Sequence, residues 1–235
     1  MKAVILAGGL GTRLYPVLQD LPKPMAPVGS RYFLEIILQN IKRNSFTDFV
    51  ICVGHMADKI INYFGNGSSR GVNITYSIEE EPAGTGGAIG LLRNHIHDTF
   101  CVLNGDTYQE LDLQRCVSRH KSSGALATMS VAKIEDSSRY GQVITDRDGY
   151  ITGFCEKGTG VPQNLINTGL YILEPVVFDY IPEYKTVSFE RDVLTAMLKE
   201  NQKIFTYNEV HNFFDIGIPA DYYRFLRWAA EESQE

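Results

Sequence analysis

Four charged residues of this 235-residue chain stand where apolar runs end, and together they could hold a polyphosphate with its counter-ion. Arg13 and Lys23 frame the first loop, Gly8-Gly9-Leu10-Gly11-Thr12-Arg13 and then Leu21-Pro22-Lys23-Pro24. Asp106 closes Asn104-Gly105-Asp106, and Asp215 lies in Phe214-Asp215-Ile216-Gly217. Glycines let backbone approach an anion, and two fixed cations neutralise it. Magnesium takes one or two protein carboxylates and completes its shell with phosphate oxygens and water, so Asp106 and Asp215 suffice as a metal pair. Each also has a plainer reading: a helix cap for Asp106, a turn residue for Asp215.

Three further stretches carry polar groups where ligands could meet them. Glu79-Glu80-Glu81-Pro82-Ala83-Gly84-Thr85-Gly86-Gly87-Ala88 joins a strand to a helix. A carboxylate there could accept two hydrogen bonds from a guanine edge, or the three acids could be a solvated strand end. Glu156-Lys157 could bind a sugar hydroxyl and a phosphate, or be an exposed ion pair. Asn167-Thr168-Gly169 interrupts an apolar strand, as a ligand-facing group or as a bulge.

The elements that must place these residues alternate. Lys2 to Ala7 reads as a strand running straight into the glycine loop. Leu34, Ile37, Leu38 and Ile41 recur at helical spacing over 33–44, Asp48 to Val53 is a strand, and Ala57, Ile60, Ile61 and Phe64 mark a second helix. A strand over 72–78, a helix over 85–94 and a strand over 99–103 follow. This order implies a mainly parallel, Rossmann-like sheet with helices on both faces, binding its ligands at the carboxyl ends of the strands. Beyond it come a helix over 111–121, a strand over 125–131, a hairpin over 142–154, a strand over 165–173, a helix over 188–201 and a short strand over 213–216. A last helix opens at Pro219, with Tyr222, Phe225, Leu226 and Ala229 on one face. One α/β domain is expected over 1–235, with a smaller β subregion.

Composition narrows the classes. Apolar residues make up 44% and charged residues 21%, enough for a core, and a net charge of −6 argues against a nucleic-acid surface. No membrane span or signal peptide is visible, so a cytoplasmic enzyme is expected. Cys52, Cys101, Cys116 and Cys155 lack metal-ligand spacing and read as reduced thiols.

The loop is neither of two common phosphate loops. No Lys-Ser or Lys-Thr follows the glycines, as a Walker A loop requires, and Gly9-Leu10-Gly11-Thr12-Arg13-Leu14 lacks the last glycine of a dinucleotide fingerprint. A simple glycine turn has no use for the cations. Leu6 to Leu14 with Pro22-Lys23-Pro24 instead resembles the signature of sugar-phosphate nucleotidylyltransferases. Asn104-Gly105-Asp106, Phe154-Cys155-Glu156-Lys157, Asn167-Thr168-Gly169 and Asp215-Ile216-Gly217 follow in that family's order.

The resemblance implies transfer of a nucleotidyl group from a nucleoside triphosphate to a sugar 1-phosphate, with Mg2+ and release of pyrophosphate. Such a reaction needs charge neutralisation and alignment rather than a general base, because the attacking phosphate is already anionic. By the same resemblance, Arg13, Lys23, Asp106 and Asp215 are the catalytic group, and Asp106 and Asp215 hold the metal. Leu6, Ala7, Gly8, Gly9, Gly11, Thr12, Arg13, Lys23, Glu79, Gly84, Thr85, Asn104 and Gly105 bind the nucleotide. Gly141, Glu156, Lys157 and Asn167 bind the sugar phosphate. The nucleotide part spans about 1–110, the sugar-phosphate part about 111–217, and the closing helix about 219–233.

Within the family, Leu21 to Pro27, Glu80 to Ala88, Asn104 to Thr107 and Asp136 to Gly141 resemble D-glycero-α-D-manno-heptose 1-phosphate guanylyltransferases. That implies GTP as donor and a product for lipopolysaccharide or capsule synthesis. Mannose 1-phosphate guanylyltransferases and glucose 1-phosphate thymidylyltransferases are the alternative enzymes, and a nucleotide-binding regulatory subunit is the non-enzyme alternative. The sequence leaves a homo-oligomer open.

Overall fold

A computed structural model describes residues 1–18, 20–134, 139–155, 164–183 and 185–232. Among them, nine strands form one sheet. Its path runs Ile151–Cys155, Gln142–Thr145, Leu165–Leu173, Phe100–Asn104, Ala3–Leu6, Asp48–Val53 and Asn73–Ile78. Ala127–Lys133 joins it beside Leu165–Leu173 and pairs in turn with Ile204–Tyr207. The four strands from Phe100–Asn104 to Asn73–Ile78 are mutually parallel. Leu165–Leu173 runs antiparallel to its neighbours, so the sheet changes character in the middle.

Both faces are covered, as alternation along the strands requires. In Ala3–Leu6, Ala3 and Ile5 join one core, while Val4 joins the other. The first core holds Phe33, Ile37 and Ile41 from the helix Phe33–Arg43, Ile60 and Phe64 from Ala57–Phe64, and Tyr222 and Phe225 from Pro219–Glu232. The second holds Ala88 and Ile89 from Gly84–Gly90, and Phe189, Val193 and Met197 further along. Each fully buried large apolar side chain contributes roughly 1.5–3 kcal/mol. Cys52, Cys101 and Cys116 are buried and Cys155 is partly exposed, all as free thiols.

Several expected elements differ. The helix expected over 85–94 ends at Gly90 and continues as turns. That over 188–201 is a π-helix, Phe189–Leu194, leading into an α-helix, Thr195–Lys199. The helix expected from Leu111 starts at Leu113, where the Asp112 carboxylate accepts the Arg115 N–H as its cap. Thr107–Glu110 and Ile204–Tyr207 are strands that the sequence pattern did not reveal.

The helix Gly84–Gly90 starts in a backbone conformation that only glycine adopts easily. Gly84 has φ +75°, and a Cβ there would run into the Val187 carbonyl oxygen. The two segments are laced together: the Val187 N–H donates to the Ala83 carbonyl at 2.8 Å, and the Gly86 N–H to that of Val187 at 2.8 Å. Gly84→Ala is therefore expected to lower unfolding free energy by about 1–3 kcal/mol. Urea denaturation followed by circular dichroism measures it.

Candidate active site

The glycine loop leaves the strand Ala3–Leu6 at its carboxyl edge. Leu6 is in register with Asn104 on one side and Cys52 on the other, so three parallel strands end together there. Gly105 donates its N–H to the Leu6 carbonyl at 2.8 Å, which sets the following Asp106 beside the loop. Asp106 caps no helix, since the next element is the strand Thr107–Glu110. That strand pairs with His211–Asp215, in register Thr107 to Asp215, and the Ile216 N–H donates to the Asp106 carbonyl at 3.0 Å. Two carboxylates more than a hundred positions apart are thereby brought to one place.

Lys23 reaches them from the third side. It starts the 3-10 turn Lys23–Met25, anchored by buried Pro24 and Met25, and is itself only 8% exposed. Its Nζ donates to Asp106 Oδ2 at 2.6 Å and lies 3.8 Å from Asp215 Oδ1. Burial, and then the Asp106 charge, push the Asp215 carboxyl above the usual aspartate range. The Lys23 charge, the Gly217 N–H donated to Asp215 Oδ1 at 2.7 Å, and Arg13 oppose that shift. Among the described residues there is no cluster of three or more metal-ligating side chains. The two carboxylates already focused on one ammonium are hard oxygen donors, and such a pair fits a divalent ion that takes its remaining ligands from phosphate and water.

Two cavities adjoin at this centre. One, of about 730 Å³, is lined by every residue expected to bind the nucleotide, from Leu6 through Gly105, with Asp106. Its floor is tight at Gly8, where a Cβ would run into Glu79 Oε1. Glu79 Oε2 accepts the Ala83 N–H at 3.1 Å, and burial raises its carboxyl above the ordinary range against that hydrogen bond. Thr85 also has a structural duty, its hydroxyl accepting the Phe189 N–H at 2.8 Å.

The second cavity, of about 1040 Å³, contains Gly141, Asn167 and Asp215. Arg13, Asn104, Asp106 and Gly217 line both cavities and so mark their junction. Glu156 and Lys157, and the stretch Asp136-Ser137-Ser138, lie outside the described residues. The bulge expected as one reading of Asn167-Thr168-Gly169 is present, and Asn167 also lines the cavity. The pairing with Ala127–Lys133 shifts between Asn167 and Tyr171, a bulge that coincides with its place on the cavity wall.

Several wall residues escaped the sequence reading. Arg139 donates to the Asp221 carboxylate at 2.9 Å and so ties the segment before Gly141 to the last helix. Glu190 lies on the same wall. An available signal was that Glu190 falls three and four positions before the inward-facing Val193 and Leu194, an odd place for an acid.

Comparison with known proteins finds relatives along nearly the whole chain. The family described as nucleotidyl transferase matches residues 2–232. A D-glycero-alpha-D-manno-heptose 1-phosphate guanylyltransferase of Aneurinibacillus thermoaerophilus is 39% identical over 223 residues, covering 94% of this chain and 95% of its own. One from Campylobacter jejuni is 36% identical over 226 residues, covering 96% and 99%. The crystal structure of HddC from Yersinia pseudotuberculosis complexed with GMP-PN superposes with a TM-score of 0.82 at 34% identity, covering 96% of this chain and 98% of that one. A strand-borne glycine loop, two convergent carboxylates and a match along nearly the whole length lead to one conclusion: the chain belongs to the nucleotidyl transferase family.

Proposed function

We propose that this protein transfers a guanylyl group from GTP to a sugar 1-phosphate, D-glycero-α-D-manno-heptose 1-phosphate, releasing pyrophosphate. The junction of the two cavities at Arg13, Asn104, Asp106 and Gly217 carries the reading. A reaction between two bound phosphates needs two chambers open to each other at one charged point, and this is such a point. The heptose guanylyltransferases of comparable length, similar end to end, supply the choice of base and sugar. HddC with GMP-PN, matched over nearly its whole chain, supports a guanine nucleotide.

In this reading the smaller cavity takes GTP and the larger takes the sugar phosphate, so the nucleotide part is about 1–110 and the sugar part about 111–217. Residues Leu6 to Thr12 close around the nucleotide, with Gly84, Thr85, Asn104 and Gly105 opposite. Arg13 and Lys23 hold its phosphates. Glu79 accepts from the guanine N1–H and amino group. Gly141, Asn167, Glu156 and Lys157 hold the sugar phosphate. Asp106 and Asp215 would hold Mg2+, which supplies positive charge against the phosphates as charge shifts onto the leaving pyrophosphate. No proton need leave the attacking phosphate, so the chain's task is to align it in line with the α-phosphate and to exclude water.

No helix among the described residues is long and apolar enough to cross a membrane.

Purified protein with Mg2+, pyrophosphatase and a panel of nucleotides and sugar 1-phosphates tests the reading. Turnover confined to dTTP or UTP removes the guanylyl assignment, and turnover confined to mannose or glucose 1-phosphate removes the heptose. Asp106→Asn and Lys23→Ala are each expected to lower kcat by on the order of 10²–10³, as loss of charge stabilisation does. Lys23→Ala should also bind Mn2+ more tightly than the parent when no nucleotide is present, because the ammonium that competes for Asp106 and Asp215 is gone. Electron paramagnetic resonance titration reads this without turnover, and unchanged or weaker binding would refute the competition. Glu79→Gln should reduce kcat/KM for GTP by about 10- to 100-fold, the worth of hydrogen bonds to a charged acceptor.

A further inference from the structure

The geometry points to Glu190 as a positioning residue that fixes the sugar cavity relative to the nucleotide cavity, a role that rests on the two-cavity reading above. The carboxylate is held from both sides. Tyr171 donates its hydroxyl to Glu190 Oε1 at 2.7 Å, and that same hydroxyl accepts from Asn167 Nδ2 at 2.6 Å. On the other side Thr85 and Ser188 each point a hydroxyl at Oε2, both at 3.4 Å. Thr85 lies on the wall of the nucleotide cavity and Asn167 on the wall of the sugar cavity. A continuous polar relay therefore runs from Thr85 through Glu190 and Tyr171 to Asn167.

Local structure makes the relay stiff. Tyr171 is fully buried and its ring meets that of Phe189 edge to face at 5.0 Å. Burial, with the Glu190 charge, pushes its phenol well above the usual tyrosine range, so it keeps the proton that it donates. Asn167 is fixed at both ends, because its Oδ1 also accepts the Gly169 N–H at 2.8 Å. This leaves one amide N–H of Asn167 and a remaining Oδ1 lone pair for a ligand.

Glu190 sits in the π-helix Phe189–Leu194, a distortion frequent at functional sites. The Phe189 N–H bond to the Thr85 hydroxyl clamps the start of that turn to the nucleotide side. A carboxylate used only to hold the fold could sit anywhere along the turn. This one faces the sugar cavity and bonds to the side chain that orients Asn167.

The test uses Glu190→Gln and Tyr171→Phe in the full chain, with KM and kcat measured separately for each substrate and circular dichroism as a check of folding. Tyr171→Phe removes one hydroxyl and cuts the relay even where Glu190→Gln fails to fold. Misplacing Asn167 is expected to raise KM for the sugar 1-phosphate ~10-fold or more and to lower kcat, with KM for the nucleotide within about twofold. Unchanged sugar-phosphate KM in a folded Tyr171→Phe overturns the role and leaves guanylyl transfer standing. An equal rise in both KM values also overturns it, as general loosening of the fold. Absence of turnover with any sugar 1-phosphate in the parent protein defeats the functional reading and this role together.

Discussion

A buried ammonium between two carboxylates ties this molecule together. Lys23, Asp106 and Asp215 come from the first loop, from the turn that ends the strand Phe100–Asn104 and from the end of His211–Asp215. Their separations in sequence are long, so their meeting is a consequence of the sheet rather than of any local segment. Burial first, and then the Asp106 charge, raise the pKa of Asp215, and the Lys23 charge opposes that rise. Removing Lys23 would leave two facing carboxylates, Asp106 37% and Asp215 26% exposed, without their shared counter-ion.

The sheet explains why there are two cavities. Its parallel half ends in loops at one edge, which is where ligands bind in such sheets, and the glycine loop and Glu79 occupy that edge. Leu165–Leu173 then runs antiparallel against Phe100–Asn104, and the sheet extends through Ala127–Lys133 and the hairpin Gln142–Thr145 and Ile151–Cys155. The second cavity lies over this extension. Asp106 sits where the two halves share a strand, and so faces both chambers.

The amount legible in the sequence follows from how local each feature is. The opening loop was readable because its glycines, Arg13 and Lys23 fall within sixteen positions, and the alternation of strand and helix up to Asn104 gave the sheet. The strand Ile204–Tyr207 escaped because four residues between polar neighbours carry too little periodicity. The Gly84–Gly90 helix is shorter than expected because four of its seven residues are glycine, the poorest helix former after proline. Lys23 was legible as a cation but not as the partner of Asp106, since no pattern encodes a contact across eighty-three positions. Glu190 was hidden inside a stretch that reads simply as a helix over 188–201.

Charge balance at the junction has a further consequence for how substrates enter. Lys23 and Arg13 roughly offset Asp106 and Asp215, so the empty centre is close to neutral. A triphosphate and a sugar phosphate each bring extra negative charge to the same small space. Like charges that close repel by several kcal/mol at the effective dielectric of a protein cleft. If Lys23 turns to the phosphates it leaves the carboxylates uncompensated, and if it stays with them the phosphates are uncompensated. One ammonium cannot serve both, so on the proposed reading a nucleotide would bring its own cation, and Asp106 and Asp215, released by Lys23, would be its ligands. The same lysine would then hold the carboxylates before the nucleotide arrives and grip the phosphates afterwards, from a turn whose neighbours Pro24 and Met25 are buried.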